Sequence, residues 1–201
     1  MKITYGFVVV GGGLTGVLSF ISLALAIGTE YWYIIEDKRT NHTDSARTNS
    51  GLWGVTDGMT LNFHSQLNSY DLLHSVMHSV IAILLPLSLV MLVFGGICGL
   101  VSSLGKIVAS ALLLTYIVFI FLACLLTLSG VSLYIRYSQK ALEETERRMG
   151  REQMAQVHTS FGWSMGMAWI SFLLEVITGL LLLLAVRLVP LTQYEESVAP
   201  I

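Results

Sequence analysis

Few residues of this 201-residue chain have the type and spacing that chemistry requires. His74 and His78 are four residues apart, a spacing that can bring two imidazoles to one zinc ion, but no cysteine pair or H-E-x-x-H motif accompanies them. We interpret them as polar residues at the end of an apolar stretch. No Ser-His-Asp order, phosphate-binding loop or dinucleotide fingerprint occurs. The sequence therefore predicts no enzyme activity, no cofactor, no metal site and no small-molecule substrate.

Glu175 stands out because residues 161–186 contain no other charged residue. An unpaired carboxylate in apolar surroundings costs several kcal/mol if it is ionised. We therefore expect Glu175 to be protonated, or bonded to a neighbour such as Tyr116, Thr127 or Ser129. Two roles remain open at this point, a lock on helix packing or a polar contact to a partner subunit.

The composition is that of an integral membrane protein. Hydrophobic residues make up 54% of the chain and charged residues only 12%, about half of what soluble domains carry. The mean hydropathy of +0.72 agrees with this composition. A formal net charge of -2 gives no basic surface for DNA or RNA. Soluble enzymes, disordered chains and nucleic-acid-binding proteins are thereby excluded as classes.

Four apolar stretches are long enough to cross a bilayer, which takes about 20 residues. They predict a single domain with spans at about 6–28, 79–101, 107–135 and 161–189. Loops of 29–78 and 136–160 connect them on one side, and a short tail of 190–201 follows. We expect the third helix to continue beyond the membrane, because Glu143 and Glu144 each precede an arginine by four residues.

Two signals disagree on orientation. Asn41-His42-Thr43 is the only N-x-S/T sequon and predicts glycosylation of Asn41, which would place both loops outside the cell. Charge alone favours the opposite orientation, because the one that the sequon gives leaves five basic residues outside, namely Arg136, Lys140, Arg147, Arg148 and Arg151. We follow the sequon and predict a plasma-membrane protein with both termini in the cytoplasm.

Small residues recur at the spacing that lets membrane helices approach closely. The three G-x-x-x-G motifs are Gly12 with Gly16, Gly95 with Gly99, and Gly162 with Gly166. They predict close packing on three of the four helices. Packing within the bundle is the simpler interpretation, and docking on the helices of a partner is the alternative.

The first loop carries a recognisable motif. Glu30-Tyr31-Trp32-Tyr33-Ile34-Ile35 is typical of a strand, and Ser50-Gly51-Leu52-Trp53 follows in the same loop. A tryptophan after the first span followed by Gly-Leu-Trp resembles the claudin superfamily. That superfamily includes claudins, peripheral myelin protein 22, epithelial membrane proteins and calcium-channel gamma subunits.

Other residues resemble one branch of that superfamily. Phe161-Gly162-Trp163-Ser164 and Glu175 are similar to the gamma-subunit branch, and Ile83-Leu84-Leu85-Pro86 looks closer still to transmembrane proteins 114 and 235. The resemblance implies a four-helix transmembrane bundle with a small extracellular β-sheet from the first loop. It also implies an auxiliary or regulatory subunit of a channel or receptor, or alternatively a cell–cell adhesion or junction protein.

One departure from that pattern concerns cysteine. The resemblance implies two cysteines after Gly-Leu-Trp that would staple the loop, but Trp53 is followed by Gly54-Val55-Thr56-Asp57 and the loop contains none. Cys98 and Cys124 lie within predicted spans, where we expect them to pack rather than to pair. Loss of such a staple costs about 2–4 kcal/mol, so we predict a sheet less rigid than the family's.

Overall fold

The computed structural model describes residues 5–37, 46–53, 55–56, 72–104, 109–149 and 157–198. Within these ranges the chain forms four α-helices and four short β-strands. The helices are α1 (Tyr5–Gly28), α2 (Leu72–Leu104), α3 (Ala109–Met149) and α4 (Trp163–Val198). The strands are β1 (Tyr33–Asp37), β2 (Ala46–Ser50), β3 (Val55–Thr56) and β4 (Val157–Phe161).

Each helix contains one segment that is long and apolar enough to cross a membrane: Gly6–Gly28, Met77–Ser102, Leu113–Glu143 and Trp163–Leu188. A helix suits these sequences because its backbone hydrogen bonds are satisfied within the segment, as the bilayer interior requires. The four predicted membrane helices are therefore confirmed, and the fold is a four-helix transmembrane bundle with a small antiparallel sheet.

The third helix runs to Met149 and so continues beyond the predicted span end at residue 135, as we expected. Arg147 and Glu143 lie 3.8 Å apart on its surface, and both side chains are largely exposed. Such an exposed pair contributes little to stability because water screens it. The side chains of the second predicted pair, Glu144 and Arg148, lie outside the described part of the chain.

The sheet has the order β3-β2-β1-β4, and all neighbouring strands are antiparallel. The predicted small sheet from the first loop is confirmed, and β4, from the segment before the fourth span, adds a strand that was not predicted. The sequence carries a weak signal for it, because Val157, Thr159 and Phe161 are β-branched or aromatic and recur with the period of a strand. β1 also begins at Tyr33, three residues later than predicted, because Trp32 lies in a bend.

The contacts divide the chain into two compact units. The first, which we call the core unit, comprises Met1–Leu23, Leu87–Thr127 and Ile170–Ile201. The second, the sheet unit, comprises Ala24–Pro86 and Leu128–Trp169 and includes all four strands. Each unit takes one part of every helix.

Tyr116 organises the glycine contacts of the core unit. A Cβ added at Gly16 would lie 2.8 Å from the Tyr116 hydroxyl, and one added at Gly99 would lie 2.8 Å from ring atoms of the same side chain. At Gly95 the distance to the ring is 3.0 Å. Helices α1 and α2 thus use their glycines to receive one aromatic ring from α3, which is packing within the bundle.

Gly162 and Gly166 do not pack against another helix of this chain, and docking on a partner's helices stays a prediction for this third motif. Gly162 precedes α4, and its amide donates to the Trp32 carbonyl at 3.0 Å as part of the sheet edge. Gly166 is exposed, and a Cβ added there would meet nothing within 4 Å. The spacing was present, but the helix begins one residue too late to use it.

Candidate functional site

Two tryptophans of the first loop cap the end of α1. The last four carbonyls of a helix have no partner within it. The Trp32 indole N–H donates to the Ala26 carbonyl at 2.7 Å, and the Trp53 indole N–H donates to the Ile27 carbonyl at 2.9 Å. The Thr29 hydroxyl donates to the Leu25 carbonyl at 2.6 Å. Side chains therefore satisfy three successive carbonyls at this helix end and tie the start of the loop and its Gly-Leu-Trp motif to it.

The two tryptophans differ in their surroundings. Trp32 is fully buried, and its ring centroid lies 4.8 Å from that of Tyr134 on α3. Trp53 keeps 58% of its surface exposed although its nitrogen is bonded. Leu52 between the loop anchors is fully buried. Trp32 and Leu52 thus fill the interior of the sheet unit, whereas Trp53 presents an indole face to its exterior.

Gly51 is required by a close approach of two chain segments. A Cβ added there would lie 2.7 Å from the Glu30 Cα, a backbone atom that cannot turn away. Gly162 is sterically restricted in the same way, because a Cβ added there would collide with the Tyr31 carbonyl oxygen. These contacts give the glycine of the Gly-Leu-Trp motif and the glycine before α4 a steric reason.

Four aromatic residues form a ladder where β1 and β4 meet α4. Tyr33 pairs with Phe161, and the Ser164 amide donates to the Tyr31 carbonyl at 3.3 Å, which extends the pairing. Because side chains alternate across an antiparallel pair, Tyr31 and Tyr33 share a face with Phe161 and Trp163. The ring centroids of Tyr31 and Trp163 are 6.1 Å apart, and those of Tyr33 and Phe161 are 5.8 Å apart. We call these four residues the aromatic ladder.

Most of the aromatic ladder is accessible. Phe161 and Trp163 are each 50% exposed and Tyr31 is 40% exposed, whereas Tyr33 is buried. Burial raises the pKa of the Tyr33 phenol further above its ordinary value, at which a tyrosine is already uncharged around neutral pH. The ladder is thus an uncharged aromatic surface at the start of the fourth span.

Glu175 lies in a cluster of hydroxyl groups inside the core unit. Its Oε1 is 3.1 Å from the Thr127 hydroxyl, 3.4 Å from that of Ser171 and 3.5 Å from that of Ser19. The Ser88 hydroxyl continues the cluster at 2.6 Å from Thr127. We call these five residues the polar cluster, and each of the four helices contributes to it. All five residues are buried.

The polar cluster answers part of what the sequence left open. Thr127, one of the three neighbours proposed for Glu175, contacts it, whereas Ser129 is exposed. The carboxyl is fully buried within its own bundle, which favours a lock on helix packing over a direct contact to a partner. Ser19 and Ser171 were not predicted, although Ser171 stands one helical turn before Glu175.

The remaining predicted residues have separate positions. The predicted glycosylation site, Asn41, lies outside the described residues. The side chain of His74 is likewise outside the described part of the chain. The His78 ring lies 5.8 Å from that of Tyr137. Cys98 and Cys124 are unpaired and half-buried. Within the described ranges, no three His, Cys, Asp or Glu side chains come close enough together to hold a metal ion.

Comparison with known families agrees with this architecture. The family model described as PMP-22/EMP/MP20/Claudin tight junction matches residues 61–184, more than half of the chain. The protein therefore belongs to the PMP-22/EMP/MP20/claudin family, a family of non-enzymatic membrane proteins. The match spans the last three membrane helices, while Trp32 and Gly51-Leu52-Trp53 lie before it. The closer resemblance to transmembrane proteins 114 and 235 stays a prediction.

Proposed function

We propose that this protein is a non-enzymatic auxiliary or regulatory subunit of a larger membrane channel or receptor. The observation that carries this proposal is the aromatic ladder, three of whose four rings are exposed. Tyrosine, tryptophan and phenylalanine are enriched at protein interfaces, where they supply large contact areas with few rotatable bonds. The occupant that we propose is the membrane-proximal segment of the partner, next to the start of the fourth span.

The interior of the bundle supports a binding role rather than transport. The hydroxyl groups around Glu175 bond to one another and to backbone carbonyls of the same chain. A transport path needs a succession of polar groups, and the described spans contain one acidic side chain near their middle. The accessible aromatic surface is then the feature best suited to recognition.

The bilayer is the competing occupant of the aromatic ladder. Tryptophan and tyrosine also gather at membrane interfaces, where their rings lie at the level of the lipid headgroups. A substitution that weakens recovery of a protein partner while leaving membrane insertion intact separates the two occupants.

The test is recovery of partners with the double variant Phe161→Ala, Trp163→Ala. Tagged protein is purified in mild detergent from cells that express candidate channels and receptors, and co-purifying proteins are quantified by mass spectrometry. We expect the wild-type chain to recover a larger channel or receptor. At equal surface level, the amount of that partner recovered by the double variant should be at least about tenfold lower. The matched control is Phe121→Ala, which removes an aromatic ring that is 65% exposed on α3. Equal recovery by all three proteins would contradict the proposal.

A second candidate function is cell–cell adhesion at junctions. The description of the matching family names tight junctions, and the first loop is held by Trp32 and Trp53 without a disulfide. An anchored loop is what adhesion between cells requires. Freeze-fracture of cells that lack tight junctions and express this protein decides the strand-forming version, because absence of intramembrane strands removes it.

The proposed function requires the membrane orientation that the sequon predicts. Segments 29–78 and 136–160 would lie outside the cell, with the tail of 190–201 in the cytoplasm of a plasma-membrane protein. The lipid bilayer surrounds the spans. A channel, a receptor or a second copy of the chain is the expected protein partner, and neither nucleic acid nor a small-molecule substrate is expected.

A further inference from the structure

We propose that the polar cluster is a proton-binding site in which Glu175 carries one proton on Oε1 and donates it to Thr127. The proposal rests on a count of the hydrogens that the observed contacts require. It does not depend on the proposed function, since it concerns the interior of the core unit.

The contacts from Glu175 towards Ser88 form a chain. Oε1 lies 3.1 Å from the Thr127 hydroxyl, which lies 2.6 Å from the Ser88 hydroxyl. The Ser88 hydroxyl in turn lies 3.0 Å from the Ala123 carbonyl. Each of these three contacts needs one hydrogen between its oxygens, but Thr127 and Ser88 together supply only two.

A protonated carboxyl supplies the missing hydrogen. Glu175 then donates to Thr127, Thr127 donates to Ser88, and Ser88 donates to the Ala123 carbonyl, so that all three contacts are filled. With an ionised carboxylate Thr127 donates to Glu175, and the single Ser88 hydrogen must then leave either its contact to Thr127 or its contact to the Ala123 carbonyl without a hydrogen. The neutral acid therefore satisfies one more buried contact than the carboxylate does.

The serines on the other side of Glu175 cannot replace that hydrogen. The Ser19 hydroxyl lies 3.1 Å from the Ser171 carbonyl, and the Ser171 hydroxyl lies 2.9 Å from the Ser19 carbonyl. Both are closer to those carbonyls than to Oε1, which is 3.5 Å from Ser19 and 3.4 Å from Ser171. The two hydroxyls also lie 2.9 Å apart. Their two hydrogens are thus already shared among three contacts between α1 and α4, and a carboxylate would keep Thr127 as its nearest donor.

Two further observations oppose an ionised group. The second carboxyl oxygen, Oε2, is buried and has no hydrogen-bond partner, which is tolerable for the carbonyl of an acid and costly for half of a carboxylate. No lysine, arginine or histidine occurs in residues 5–28, 79–105, 107–135 or 163–186 to balance a negative charge. A metal cation is the remaining counter-charge, and Glu175 is the one carboxyl of the polar cluster that could bind it.

Infrared spectroscopy of the full chain in lipid at neutral pH tests the site. The spectrum of the Glu175→Gln variant is subtracted from that of the wild type. We expect the difference to contain the C=O stretch of one carboxylic acid, without the paired stretches of a carboxylate. The matched control is Glu143→Gln, whose exposed side chain should give the carboxylate pair instead. A carboxylate pair for Glu175 would overturn the proposal.

A second measurement needs no substitution and separates a proton from a cation. In wild-type protein labelled with ¹³C-glutamate, the C=O band of the carboxylic acid should move to lower frequency. If no such band shifted, the proposal would be contradicted even if Glu175→Gln failed to fold. The melting temperature should be the same in sodium chloride and in choline chloride. A rise of several degrees in sodium that Glu175→Gln abolishes would identify a sodium site and overturn the proton assignment.

Discussion

Single atoms decide how the first loop lies against the end of α1. The indole N–H groups of Trp32 and Trp53 donate to the adjacent backbone carbonyls of Ala26 and Ile27, and Gly51 allows the loop to pass within contact distance of Glu30. Trp53 and Gly51 of the Gly-Leu-Trp motif thus have different roles. Trp53 bonds the loop to the helix, and Gly51, which has no side chain, leaves the space that the loop needs there.

At this scale we predict that Gly51→Ala destabilises the protein by about 1–3 kcal/mol, the usual effect of overpacking a filled site. The cause is the Cβ that would stand 2.7 Å from the Glu30 Cα. Thermal unfolding in detergent, followed by tryptophan fluorescence, measures the change. Gly28→Ala is the control, because a Cβ there would meet nothing within 4 Å. Equal melting temperatures for the two variants would show that the loop moves aside freely.

Sequence reasoning found the side chains at this scale better than it found their acceptors. Trp32, Gly51 and Trp53 followed from the resemblance to a family, and Glu175 followed from its isolation in an apolar stretch. The carbonyls of Ala26 and Ile27 could not be predicted, because every residue has a carbonyl and only the fold selects which one is capped. Ser19 is invisible for a similar reason, since a serine in a membrane helix has no pattern that names its partner.

Among the elements, α2 shows how closely glycine spacing is tied to packing. Gly95 and Gly99 receive the ring of Tyr116, whereas Gly96 on the same helix has nothing within 4 Å. A side chain added at Gly99 must displace an aromatic ring, and one added at Gly96 enters open space. The two positions therefore compare steric cost directly within one helix.

We predict that Gly99→Ala lowers the free energy of unfolding by about 1–3 kcal/mol through overpacking against Tyr116. Gly96→Ala should be neutral or slightly stabilising, because alanine is the better helix former by about 1 kcal/mol. Equilibrium unfolding in mixed micelles of increasing SDS fraction measures both variants. If Gly96→Ala proved the more damaging, the assignment of the packed face of α2 would be wrong.

The elements themselves were largely predictable. Hydropathy located all four spans, and the charged pairs after residue 135 indicated that α3 continues beyond its span, which it does as far as Met149. β4 was missed because a five-residue strand beside a long charged helix has a weak sequence signal. A strand this short is stable only through its pairing with β1. The same strand explains why Gly162 is not part of a helix packing face. The pairing with β1 continues through Gly162, so α4 begins only at Trp163.

For the molecule as a whole, orientation is the property on which the sequence signals disagree. We predict that Asn41 carries an N-linked glycan. Treatment with an N-glycosidase should lower the apparent mass of the wild-type protein, and Asn41→Gln should migrate at the lowered position without treatment. An unshifted band from protein of proven surface delivery would instead favour the orientation that the basic residues suggest.

The loop anchors have a consequence for the conditions under which the protein is made. Most small secreted and extracellular modules depend on an oxidising compartment, because thiols must be joined before the structure holds. Here residues 29–78 contain no cysteine, and the fastening is made by indole hydrogens on helix carbonyls. This end of the protein should therefore assemble equally well with or without a reductant, and glutathione should leave it intact. Its fastening is redox-independent.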